Sequence, residues 1–154
     1  MASQFADIPA LNHIIAILID ARRLYTRAMR LAKEPDAVLG IQRTLDERTA
    51  LLGAMQQRVR ELGGKPALEG SVMGAAHAAF LNVRSVFDRD VVAALDEVER
   101  GEKYLRAEIR KCMRQGDISA ETRAFLGVAL DRAVTGEMQI EGVREEAKPE
   151  QRVH

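Results

Sequence analysis

Apolar residues recur every three or four positions along most of the chain, which is the spacing of one face of an α-helix. No segment shows the alternation of apolar and polar residues that marks a half-buried strand. The Val and Ile residues also follow the helical spacing, so the pattern predicts an all-α fold.

Capping and helix-breaking residues divide this pattern into four long helices. Pro35 disfavours helical geometry in the residue before it, and Gly63 or Gly64 and then Gly116 supply C-terminal positions. Side chains able to cap a helix N-terminus precede the first, third and fourth helices. The predicted bounds are Asp7 to Lys33, Asp36 to Leu62, Asp90 to Gln115 and Ser119 to Glu145.

Between the second and third long helices, Ser71 to Phe87 reads as a short extra helix. The 154 residues then form a single domain, with an ordered core over about 8–145 and a frayed tail over 146–154. Four helices of about 25 residues joined mainly by short connections predict an antiparallel four-helix bundle.

Every long helix carries one charged residue in or next to its own apolar stripe: Arg22, Arg48, Glu102 and Glu137 respectively. A charge removed from water without a partner costs several kcal/mol. Two arginines and two glutamates near the middle of a bundle are therefore expected to pair. The alternative is that each side chain extends to the surface and makes an ordinary ion pair there.

Composition limits the partners and the compartment. The 23 basic and 23 acidic residues cancel, so the net charge favours neither nucleic acid nor an anionic membrane. The longest apolar run, IIAILI, is too short to span a bilayer, and the N-terminal residues lack the pattern of a signal peptide. Cys112 is the one cysteine, so no internal disulfide forms, and a cytoplasmic location is expected.

Apolar surface on the predicted short helix suggests that the chain binds other copies of itself. Part of this helix, which is rich in Met, Phe, Leu and Val, is expected to cover one end or side of the bundle, and the remainder to form a dimer patch. We therefore expect a homo-oligomer, with a dimer favoured. Gly127, Gly136 and Gly142 in the last helix permit close helix approach, either within the bundle or between subunits.

Several segments together resemble a family of uncharacterised bacterial ferritin-like four-helix-bundle proteins, described as a domain of unknown function. The most specific are LGGKPALEGS and ALDEVERGEKYL, and LNHIIAILIDARRLY, DERTALL and GAAHAAF accompany them. The resemblance implies a ferritin-like bundle. In the wider ferritin-like class, two metal ions lie between the helices, held by a Glu from each of two helices and a Glu-x-x-His pair from each of the others.

The chain departs from this ligand pattern. Glu47, Glu102 and Glu137 are followed three positions later by Ala50, Leu105 and Ile140, so no Glu-x-x-His occurs. His13, His77 and His154 fall on the polar side of the first helix, in the predicted short helix and at the last residue, away from the middle of the bundle. Arg22 and Arg48 would also place fixed cations where the metals sit.

Two functions follow from these observations. The first is a noncatalytic structural or interaction protein, linked to bacterial stress through its ferritin-like relatives, with no cofactor and with the Arg/Glu cluster in place of a metal site. The second is a metal-binding oxidase or metal-storage protein that uses the carboxylates of Glu47, Glu99, Glu102 and Glu137.

Overall fold

A computed structural model describes residues 4–70 and 90–151, which form four helices and no strand. The bounds are Gln4–Leu31 for α1, Pro35–Glu61 for α2, Val91–Met113 for α3 and Ala120–Gln151 for α4. The predicted all-α four-helix bundle is confirmed. The predicted short helix from Ser71 to Phe87 lies outside the described residues.

The bundle is square, with α1 and α4 each packed against both α2 and α3. After α2 the chain turns back along α1, where Gly64 lies against Ile8 and Gly70 against Asp20. Asn12 holds this returning segment, since its side chain donates to the carbonyl of Lys65 at 3.0 Å and accepts from Ala67 N–H at 2.8 Å. Helices α2 and α3 consequently run in the same direction on one diagonal, and every pair of packed neighbours is antiparallel.

Three helix ends follow the predicted local chemistry. Asp90 caps α3 by accepting a hydrogen bond from Val92 N–H at 2.9 Å, and Ser119 caps α4 by accepting one from Thr122 N–H at 3.2 Å. After α2, Gly63 adopts a φ of 84°, which favours glycine. Gly64 N–H then donates to the carbonyl of Val59 at 2.9 Å, so the helix ends in a Schellman turn.

Two predicted bounds were wrong. Helix α1 begins at Gln4, so Asp7 lies inside the helix and does not cap it. Helix α4 continues to Gln151, past the predicted end at Glu145. The extension includes Ala147, which is buried among the apolar residues at that end of the bundle.

The apolar core is divided into two clusters along the bundle axis. One surrounds Leu18, Leu52 and Leu105, and the other surrounds Ile41 and Leu95. A further layer lies between the two clusters. Each helix contributes to this layer with residues about one turn away from the cluster residues just named. That intervening layer contains the buried side chains of Arg48 and Glu102.

Candidate functional site

Arg48 and Glu102 meet across the diagonal of the bundle, from the middle of α2 and the middle of α3. Arg48 Nε donates to Glu102 Oε1 at 2.9 Å and to Oε2 at 3.2 Å. Both side chains are completely buried, with 0% exposure. The charges compensate each other at a depth where either one alone would be strongly unfavourable.

Tyr25 of α1 is the third member of this group. Its hydroxyl donates a hydrogen bond to Glu102 Oε1, and the residue is buried. Burial raises the pKa of Tyr25 well above its usual value, and the charge and hydrogen bond of Glu102 raise it further. Tyr25 is therefore a neutral donor, and Glu102 accepts from two side chains.

The far edge of the Arg48 guanidinium lies against the backbone of α4. Nη2 donates to the carbonyls of Arg132 at 3.1 Å and Ala133 at 3.2 Å. At Gly136 a Cβ would lie 1.8 Å from Nη2, so only glycine leaves room for the guanidinium there. Burial lowers the pKa of Arg48, but Glu102 more than offsets this, so the net pKa is raised.

We call Tyr25, Arg48 and Glu102, with the backbone of α4 at Gly136, the polar layer. Three helices supply side chains to it and the fourth supplies carbonyl oxygens. Since the Arg48 and Glu102 side chains have no exposed surface, the two charges offer no open face to a substrate.

Glu137 lies near the polar layer but has a different partner. Its Oε2 is 2.7 Å from Arg106 Nη1 of α3, and Glu137 is only 9% exposed while Arg106 is 31% exposed. This ion pair closes the outer side of the α3–α4 interface. Glu137 is therefore buried as predicted by its position, but it pairs outward rather than with Arg48.

The prediction for Arg22 was wrong, because the residue is exposed. Its angular position falls on the apolar stripe, but its long side chain allows the guanidinium to reach water. A second buried cation would also be uncompensated, since Glu102 is paired with Arg48 and Glu137 with Arg106. Tyr25, one turn further on, enters the interior instead, and its polar hydroxyl within the stripe was the signal that pattern reading missed.

Each carboxylate considered for a metal site has a cation within 4 Å. Glu47 pairs with Arg132 at 2.7 Å, and Glu99 pairs with Lys103 at 3.3 Å and Arg144 at 3.5 Å. Glu102 and Glu137 pair as described above. Among residues 4–70 and 90–151, no three His, Cys, Asp or Glu side chains group as a metal site requires. The donor set therefore does not fit a di-metal centre.

Asp7, in the first turns of α1, is another buried carboxylate, and it contacts the start of α4. Its Oδ1 accepts from Ser119 N–H at 2.9 Å, and its Oδ2 accepts from the hydroxyls of Ser119 and, at 2.8 Å, Thr122. Burial raises the pKa of Asp7, but these hydrogen bonds and the nearby Arg58 outweigh it, so the net pKa is lowered. The first turns of α1 thus anchor the start of α4.

Cys112 is a buried thiol at the same end of the bundle. Burial raises its pKa, and the charge of Glu108 raises it further, which disfavours the reactive thiolate. The residue acts as a small apolar side chain in the core, as its place on the α3 stripe predicts.

Comparison with models of protein families gives a match over most of the chain. Residues 7–115 match the family described as "Domain of unknown function (DUF2383)", a span that covers most of α1 and all of α2 and α3. The matched region includes Tyr25, Arg48 and Glu102. A search of curated proteins finds no match.

Proposed function

We propose that this chain, which belongs to the DUF2383 family, is a noncatalytic ferritin-like protein with a structural or interaction role in bacterial stress. In this proposal the polar layer takes the place of a di-metal site. The observation that carries it is the fully buried ion pair of Arg48 with Glu102.

The ferritin-like part of the proposal is supported by connectivity. Bundles of that class have one long crossover connection, and the others are short. Here α2 and α3 run in the same direction on a diagonal, and the chain after α2 returns along α1 past Asn12. The polar layer then falls at mid-height, between the two apolar clusters, where that class holds its metals.

The noncatalytic part is supported by electrostatics. A guanidinium keeps its charge at any physiological pH, so Arg48 is a permanent cation at the centre of the bundle. Two divalent cations placed beside it would be repelled, and Glu102 would have to give up two donors to bind them. A buried charge pair of this kind is well suited to fixing helix register.

A cytoplasmic location belongs to the same proposal. Its support is the single cysteine, since Cys112 is free and no disulfide is available to stabilise an exported fold. In the described part of the chain, no helix combines the length and apolar character needed to cross a membrane.

Metal analysis of protein purified without a histidine tag tests the proposal. We expect well under one equivalent of iron or manganese per chain, and a melting temperature unchanged by added Fe²⁺ or Mn²⁺, because a ligand bound to the folded state would raise it. About two metal ions per chain would overturn the proposal and favour the oxidase or storage function.

A pair of variants identifies where such a metal would lie. Glu102→Gln removes the central carboxylate, and Glu121→Gln changes an exposed carboxylate in the first turn of α4. If metal binds and is lost only in Glu102→Gln, the centre of the bundle is a metal site and the proposal fails. The proposal holds when both variants and the natural chain are equally free of metal.

A further inference from the structure

The outer surface of α4 carries apolar residues that the bundle does not cover. Val128 is 62% exposed and Met138 is 67% exposed. Gly142, on the same face, has open space where a Cβ would lie. Solvated helix faces are ordinarily polar, so this face has the character of a contact surface.

Two charged residues border the groove between α2 and α4 beside that face. Arg43 lies on α2 and Asp131 on α4, and both line the groove together with Thr135. Within residues 4–70 and 90–151, neither Arg43 nor Asp131 has an ion-pair partner within 4 Å. The groove thus presents one cation and one anion that the bundle itself does not pair.

The register of the two helices sets how far apart these charges lie. Thr44 of α2 contacts Gln139 of α4 through a 3.3 Å hydrogen bond, so Arg43 lies close to the level of Gln139. Asp131 is eight residues from that level, or about 12 Å along the helix. Thr135 is midway between the two charges.

Val128 and Gly142 are arranged about the same midpoint. Val128 lies seven residues before Thr135, and Gly142 lies seven residues after it. A protruding side chain and an open position are therefore equally far from the centre, as are the positive and the negative charge. The face is therefore complementary to a copy of itself that is rotated by 180° about an axis through Thr135. The rotation brings Val128 to the level of Gly142, and Arg43 to the level of Asp131, in the other copy.

We propose that the α2–α4 face binds a second copy of this chain in a two-fold dimer. Val128 of each copy then packs at Gly142 of the other, and Arg43 of each copy pairs with Asp131 of the other. The face is about 40 Å long and about 20 Å wide. A standard specific interface buries about 800 Å² per copy, so the face is large enough to hold one.

This inference names the partner in the interaction role proposed above. It rests on the outer surface of α2 and α4, whereas the noncatalytic assignment rests on the buried polar layer. The two therefore fail separately: a monomeric chain without metal overturns the dimer alone, and a dimeric chain with two metals overturns the noncatalytic assignment alone.

Charge reversal tests the dimer in the full-length chain, with mass measured by light scattering and analytical ultracentrifugation over a dilution series. Arg43→Asp and Asp131→Arg should each weaken dimerisation by about tenfold or more, because like charges then face each other. The double variant exchanges the charges and should restore most of the affinity. Arg110→Asp, on the exposed surface of α3, is the matched control and should leave the affinity unchanged.

Crosslinking tests the position of the axis independently. Thr135→Cys places two thiols beside the axis, so it should form an intermolecular disulfide rapidly, and Ala107→Cys on α3 should not. The proposal is overturned by a natural chain that stays monomeric at about 0.1 mM. It is also overturned by a dimer that neither Arg43→Asp nor Asp131→Arg weakens, or by equal crosslinking at both cysteines.

Discussion

Arg48 and Glu102 lie on diagonally opposite helices, and their 2.9 Å contact spans the centre of the bundle. Because Tyr25 and the backbone of α4 also bind this pair, one contact network links all four helices. It divides the apolar core into two clusters. The stability of the bundle therefore depends on a few polar contacts as well as on apolar burial.

Removing the arginine should be severely destabilising. Arg48→Ala leaves the Glu102 carboxylate buried without its cation, and breaking a buried pair in this way costs about 3 to 5 kcal/mol. Urea denaturation monitored by circular dichroism measures the loss. Arg22→Ala is the control, and since Arg22 is exposed, its free energy of unfolding should change by less than about 0.5 kcal/mol.

Replacing the whole polar layer should have a different effect from breaking it. The triple variant Tyr25→Phe, Arg48→Met, Glu102→Leu removes both charges and the phenol hydroxyl together. Well-packed apolar substitutes for a buried ion pair are often neutral or stabilising by about 1 to 4 kcal/mol. We expect the triple variant to be at least as stable as the natural chain, and a loss as large as that of Arg48→Ala would contradict this.

Gly136→Ala should destabilise the protein although alanine is the better helix former. Its Cβ would lie 1.8 Å from Arg48 Nη2, and the guanidinium is fixed by Glu102 and two carbonyls. In contrast, Gly53→Ala meets open space on α2 and should gain about 0.5 to 1 kcal/mol. Thermal unfolding of the two variants should thus shift in opposite directions, and a stabilised Gly136→Ala would show that Arg48 moves freely.

Asp7 should make the folded state sensitive to acid. Its pKa is lowered in the folded state, so its stabilising effect is complete above its unfolded value of about 3.9 and is lost as the pH falls through the folded value. Asp7→Asn should cost about 1.5 to 3 kcal/mol at pH 7, because hydrogen bonds to a charged group are lost. Urea denaturation as a function of pH measures the difference between the two chains, which should shrink below about pH 4.

The four helices were predictable because their pattern is local. Apolar spacing and capping side chains such as Asp90 depend only on neighbouring residues, and the bounds of α2 and α3 were correct to within two residues. The two misplaced ends depend on tertiary contacts. Ala147, in the part of α4 beyond the predicted end, packs in the core, and Asp7 binds Ser119, which is distant in sequence.

The polar layer was only partly predictable for a related reason. Arg48 and Glu102 fall in the apolar stripes of their helices, and each is the other's ion-pair partner. Arg22 falls at an equivalent angle but is exposed, because the angle alone does not tell whether a long side chain extends inward or outward. The space at Gly136 that admits Arg48 is set by the distance between α2 and α4, which a single helix does not encode.

The two tyrosines should ionise in separate steps. Burial raises the pKa of both, but Tyr104 is partly exposed, whereas Tyr25 is enclosed and bound to the Glu102 carboxylate. Because its folded pKa is raised, the contribution of Tyr25 to stability is present below its unfolded value of about 10 and is lost at more alkaline pH. In an alkaline titration followed by phenolate absorbance, Tyr104 should ionise in the folded protein and Tyr25 only together with unfolding.

Single variants assign the two ionisation steps to individual tyrosines. Tyr104→Phe should remove the early step and Tyr25→Phe the late one, while circular dichroism records unfolding in the same samples. Reversible ionisation of both tyrosines without any loss of helix would mean that the Tyr25 hydroxyl is accessible to solvent. The conclusion that the polar layer is enclosed would then be wrong, because a phenolate beside the Glu102 carboxylate would be stable only where water reaches both groups.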